Sequence, residues 1–166
     1  MIGQSPVFAG LTETRLDTQV TLRSGRPVLV VPDGHPVAST FERVILGWNG
    51  SREATRAISD AIPILKQAKF VEVLTISAHS VEPSAPPANI RICDYLLGNG
   101  IKAIGKTLPD STVHGVGGLI LARAAEQMAD LIVMGALGRS RLRETMLGGV
   151  TDEVMAKTKI PLLMSH

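Results

Sequence analysis

Residues 135–151, GALGRSRLRETMLGGVT, concentrate groups able to hold an anion. Gly135 and Gly138 stand at one end, Gly148 and Gly149 at the other, and Arg139, Arg141 and Arg143 lie between them. Glycines let backbone N–H groups approach a ligand, and a helix that starts just beyond them presents unpaired donors to phosphate-like oxygens. Arg139, Ser140 and Arg141 would add charge-assisted hydrogen bonds, each worth about 1.5–3 kcal/mol when well formed. The apolar run before the stretch (DLIVM, 130–134) reads as a strand, and Val150-Thr151 as the start of a helix. Such connections usually take roughly 2–6 residues, so this one is long. The same composition also suits a glycine-rich turn whose arginines face water, and the residues alone leave both readings open.

Other chemistry finds less support. Gly98-Asn-Gly100-Ile-Lys-Ala103 matches a dinucleotide-type glycine pattern but follows a helix and enters a strand, the reverse of what the mechanism requires. The G-x-x-x-x-G-K-[ST] phosphate loop and the G-x-S-x-G nucleophile elbow are both missing from the sequence. His35, His79, His114 and His166 are scattered without ligand spacing, so no metal site and no catalytic residue is assigned. The single cysteine, Cys93, has apolar neighbours and reads as a small buried hydrophobe; one cysteine excludes an intrachain disulfide. Trp48 and Met134 read as packing residues.

Composition narrows the class. Apolar residues make up 45% of the 166 residues and charged ones 19%, which is globular rather than disordered. A net charge of +2 with 3% aromatics gives no basis for nucleic-acid binding. No run reaches the roughly 18 apolar residues of a membrane span and no signal peptide is read at the start, so the expectation is a cytoplasmic protein without membrane partners.

The elements that must position the glycine-rich stretch follow from periodicity. Residues 43–48 (RVILGW) read as a strand ended by Asn49-Gly50, with Ser51 capping the next helix. That helix places Ala54, Ala57, Ile58, Ala61, Ile62, Leu65 and Ala68 on one face, with a kink or break expected at Pro63. Residues 70–77 (FVEVLTIS) form a second strand, and 87–98 a helix with Ile90, Cys93, Leu96 and Leu97 inward, stopped by Asn99-Gly100. A third strand over 101–107, a helix over 118–128, a strand over 131–134, a helix over 151–158 and a strand over 160–164 complete the order. Alternating strands and helices predict an α/β, doubly wound, Rossmann-like fold with a parallel sheet. Ligands of such sheets bind at the carboxyl ends of the strands where the order reverses, here the turns at 48–50 and 135–138.

The first 40 residues stand outside this unit. Residues 24–32 (SGRPVLVVP) read as a further strand, and LRSGRPVLVVP laid on AKTKIPLLMSH aligns Pro27 with Pro161 and Leu29 with Leu163. The division is therefore 1–40, the remnant of a preceding similar repeat whose body the chain lacks plus a linker, and 41–166, the main domain. An unrelated N-terminal arm is the alternative.

Gly135-x2-Gly138-x9-Gly148, the preceding DLIVM, the following VT and the WNGSREATRAI turn-and-helix resemble the universal stress protein family over roughly 41–166. The resemblance implies a five-stranded parallel sheet of order 3-2-1-4-5 with helices on both faces. It also implies a regulatory protein rather than an enzyme, of a family divided between members that bind ATP and members that do not. Its nucleotide contacts would fall on Asn49, Gly135, Gly138, Gly148, Gly149, Val150 and Thr151, with Arg139 beside them, and magnesium would accompany ATP. Binders in the family typically carry aspartate where Asn49 stands and serine or threonine where Gly149 stands, so weak binding is expected. Tandem forms exist in the family, which suits a C-terminal-type repeat here. The terminal strand is implied to pair across a homodimer, a role that residues 27–31 are expected to fill within one chain or between two. A nucleotide-free dimerisation module is the competing expectation.

Overall fold

The computed structural model describes residues 1–3, 16–36, 39–77, 89–110, 115–136 and 149–166. Each strand of the centre is a short run of branched apolar residues. β3 (Arg43–Gly47), β4 (Phe70–Ser77) and β6 (Leu131–Gly135) are sealed on both faces, as parallel strands under two helical layers must be. Flanking them are β5 (Ile104–Pro109) and β7 (Leu162–Ser165), and the N-terminal segment adds β1 (Ile2–Gly3) and β2 (Val28–Val31). The seven strands lie in the order β1-β2-β7-β6-β3-β4-β5. From β5 to β7 this is the expected 3-2-1-4-5 order, all parallel; the sheet then continues, because β2 pairs antiparallel with β7 and β1 parallel with β2.

Helices cover both faces. α2 (Arg52–Leu65) and α3 (Ile90–Gly98) pack with Val44, Leu46, Val71, Val73 and Val133. α4 (Gly115–Glu126) and α5 (Gly149–Lys157) pack with Ile45, Leu74, Ile132 and Met134 on the other side, where α1 (Leu16–Arg23) adds Val20 and Leu22. α2 starts as expected: the Ser51 hydroxyl accepts the Ala54 N–H at 3.1 Å, and Ala54, Ala57, Ile58, Ala61 and Leu65 are its buried residues. Pro63 does not break it, since it falls in the last turn and the helix runs on to Leu65. One charged pair is set into this apolar frame. Glu72, fully buried on β4, accepts two hydrogen bonds from Arg123 of α4, at 2.8 and 2.6 Å. Those bonds, and a further one to Glu126, hold the Arg123 guanidinium charged well above its ordinary range and fix α4 against the sheet.

Two further expectations need correction. α3 begins at Ile90 and buries Ile92 and Leu96, leaving Ile90 and Leu97 exposed, while Cys93 is half-buried. The third strand begins at Ile104 rather than Ile101, because Ile101 is used as the buried residue that closes the α3 cap. The role expected of residues 27–31 beside the terminal strand is filled within one chain, where β2 pairs with β7.

Candidate functional site

At the carboxyl ends of β3, β4 and β6, on the α4–α5 side of the sheet, lies a cavity of about 270 Å³. Its position is the one the fold dictates: β3 turns toward β4 and β5, β6 toward β7, and the strand order reverses between them. Leu74 and Ile76 of β4, Met134 of β6, and Val116 and Ile120 of α4 supply apolar walls. Gly47, Trp48 and Asn49 form the turn after β3, and Gly135, Val150 and Thr151 close the cavity from the β6–α5 side. The volume is at the small end of ligand pockets, which span about 300–1,000 Å³.

Of the residues singled out from sequence, Asn49, Gly135, Val150 and Thr151 are brought together around this cavity, and Gly149 opens α5 beside it, exposed. Gly138, Arg139 and Gly148 lie outside the described residues, as do Ser140, Arg141 and Arg143. The first N–H groups of a helix have no partner within it. The described part of α5 opens at Gly149, and a helix start is an end where the dipole favours anionic oxygens. The N-terminal end of α4 differs. Glu153 of α5 reaches across it: a methyl group on Gly117 would lie 2.5 Å from the Glu153 carboxylate oxygen. Lys157 holds the same carboxylate from the other side at 2.8 Å.

Two residues carry roles other than the expected ones. A Cβ on Gly135 would lie 2.7 Å from the Ala54 nitrogen and 2.8 Å from the Glu53 carbonyl carbon, so this glycine is required by the close seating of α2 on β6. The Asn49 amide oxygen accepts the Ser51 N–H at 3.0 Å, which shapes the turn leading into α2 and engages part of its accepting capacity. Trp48 packs beside the α2-side core and also lines the cavity, and its backbone N–H donates to the Leu74 carbonyl at 2.8 Å, extending the β3–β4 ladder to the cavity rim. Sequence reasoning did not name Leu74, Ile76, Val116 and Ile120 as site residues. For the first two a signal existed, since alternate residues at the carboxyl end of a strand beside the switch point face one cavity wall. For the α4 residues it did not, because only tertiary packing brings that helix over β4. Cys93 lies away from the cavity; burial, and then the charge of Asp94, pushes its thiol above the ordinary value. Among the described residues, no group of three His, Cys, Asp or Glu side chains is placed to hold a metal, and no helix is long and apolar enough to cross a membrane.

The universal stress protein family model matches residues 40–166, and the chain belongs to that family. It is 27% identical over 140 residues to the universal stress protein Slr1230 of Synechocystis sp., covering 83% of this chain and 46% of the relative. Among solved structures it is similar to a universal stress protein from Archaeoglobus fulgidus, with a TM-score of 0.67 and 23% identity, over 88% of this chain and 53% of the other. A universal stress protein in complex with cAMP superposes with a TM-score of 0.58 at 23% identity, over 77% of this chain and 99% of the other. The chain spans about half the length of the Synechocystis and Archaeoglobus relatives.

Proposed function

We propose that this chain is a regulatory, non-catalytic universal stress domain that binds an adenine nucleotide weakly in the cavity between β3 and β6. The observation that carries the reading is the pairing of an apolar pocket with a helix start at its rim: the pocket takes the faces of a base, and the first turn of α5, with Val150 and Thr151 lining the cavity, takes the phosphate side. Gly138, Arg139 and Gly148 belong to the same site in this reading, and magnesium would be held chiefly by the nucleotide's own phosphates. A solved universal stress protein of similar fold is in complex with cAMP, which supports a nucleotide as the ligand class. Weak binding follows from polarity: Asn49 offers an uncharged acceptor already engaged by Ser51, and Gly149 offers no hydroxyl. Each of those losses costs about 1 kcal/mol, together roughly tenfold or more in affinity.

Calorimetric titration with ATP and magnesium, ADP and cAMP tests this, beside Val116→Trp, which fills the pocket from its α4 wall. Saturable binding of at least one nucleotide, abolished by Val116→Trp with the fold intact, is expected. No heat at millimolar nucleotide from a folded protein overturns the reading. The mostly apolar cavity wall and the engaged Asn49 would then favour the second one, a nucleotide-free interaction module. Conversion of ATP to ADP or AMP by the purified chain would overturn the non-catalytic part.

A further inference from the structure

One face of α2 carries charges in an order that its own helix disfavours. Arg52 and Arg56 stand four residues apart, where like charges repel, and Arg52 opens the helix at the end where the dipole opposes a cation. The last turn, where the dipole would favour a basic residue, has none. Ser51 already caps the helix start by accepting the Ala54 N–H at 3.1 Å, so the arginines do not serve the terminus. Local rules broken together on one face point to a task for that face.

What the face meets is a second cavity, of about 390 Å³, lined by Arg52, Glu53, Arg56 and His166. It shares no residue with the cavity between β3 and β6, and the close seating of Glu53 and Ala54 on Gly135 separates the two. Elements distant in sequence hold its basic side. The Arg56 guanidinium donates from Nη2 to the Gly25 carbonyl at 2.7 Å, which ties it to the turn before β2. Its Nε faces Asp60 at 3.8 Å, and that carboxylate also accepts from the Ser165 hydroxyl, at the end of β7, at 2.8 Å. These contacts fix Arg56 in place and still leave about half of its side chain accessible; Arg52 and His166 are exposed beside it. Among the lining side chains, two guanidiniums stand against one carboxylate, Glu53.

We propose that this cleft binds a single phosphate group, carried by inorganic phosphate or by a small phosphate monoester. A guanidinium fork matches the edge of a tetrahedral oxyanion with paired hydrogen bonds. Two forks one helical turn apart grip two edges of one phosphate, whereas a carboxylate fills only one of them. A dianion between Arg52 and Arg56 also removes their repulsion and answers the dipole at the start of α2. Glu53 sets the limit: it repels a second anionic group, which makes polyphosphates and nucleic-acid backbones poor ligands, and it accepts from the hydroxyls that a monoester carries. The site holds whether or not a nucleotide binds between β3 and β6.

The test follows backbone amide shifts of the full, isotope-labelled chain by nuclear magnetic resonance, at constant ionic strength, during titration with inorganic phosphate and separately with glycerol phosphate. Saturable shifts at Arg52, Glu53, Arg56 and His166 are expected, with affinity weakened about tenfold or more by Arg52→Gln and less by Arg52→Lys. Arg52 is exposed, so these variants keep the fold. Val116→Trp, which fills the nucleotide cavity, should leave the phosphate shifts unchanged. Tighter binding of glycerol phosphate than of phosphate identifies a monoester as the ligand; equal or weaker binding identifies free phosphate. Shifts that never saturate, that centre on residues 149–151 instead, that Val116→Trp abolishes, or that keep full affinity in Arg52→Gln overturn the proposal.

Discussion

Single residues around the cavity separate what serves the fold from what serves a ligand. Gly135 was legible as a glycine that matters, but its reason was not: sequence showed a strand end near an anion loop, whereas the constraint comes from the first turn of α2 lying against it. Gly135→Ala therefore acts on stability first. The added methyl meets backbone on α2, which cannot swing aside, and overpacking of this kind costs about 1–3 kcal/mol. A lower thermal midpoint by several degrees, with or without nucleotide, is the expected result; an unchanged midpoint with lost binding would return the glycine to the ligand. Asn49 is the opposite case. Asn49→Asp keeps the bond from the Ser51 N–H, places a negative charge at the start of α2, where the helix dipole favours it, and turns a neutral acceptor into a charged one. Nucleotide affinity measured by calorimetry should rise about threefold to tenfold, with little loss of stability. An affinity that falls would mean that a phosphate faces this side chain.

At the level of elements, the sequence was most readable where burial is complete. β3, β4 and β6 are continuous branched runs because both their faces are covered, and α2 shows one unbroken apolar stripe. α3 was misread because two helical stripes compete in it, 90/93/97 and 92/96, and the helix sits at the margin of the sheet. The choice is made by a polar residue: buried Asn89 donates to the Val73 and Lys106 carbonyls at 3.1 and 3.2 Å and fixes how the helix enters. The ends of α3 and α4 show one cap built twice. In α3, Gly100 (φ 80°) turns the chain, and the Gly100 and Ile101 N–H groups donate to the Leu97 and Leu96 carbonyls. In α4, Met128 and Ala129 donate to Ala125 and Ala124 in the same pattern, but the left-handed position belongs to exposed Met128 (φ 49°). A side chain there costs about 1–2 kcal/mol, partly offset by the entropy that a glycine loses on folding. Met128→Gly should accordingly stabilise the protein by about 0.5–1 kcal/mol in urea unfolding. A destabilised variant would mean that the Met128 side chain makes a contact outweighing its strained backbone.

For the molecule as a whole, the sheet's two margins are built differently, and that difference predicts an order of opening. β5 forms one margin; its residues are exposed or only half-buried, and it is held on one side alone. β7 would be its counterpart at the other margin of a five-stranded sheet, but β2 pairs with it and all four of its residues are buried. Amides in strands paired on both sides and sealed on both faces exchange only on large-scale opening, while those of a thin margin exchange by local fraying. In hydrogen–deuterium exchange read by mass spectrometry, peptides of β5 should label first and those of β3 and β6 last. β7 should label with the slow group, and β2 between the extremes, since among the described residues only the two of β1 cover its far side. If β7 labelled as fast as β5, β2 would be leaving it often in solution, and the pairing of the two strands would not hold the margin.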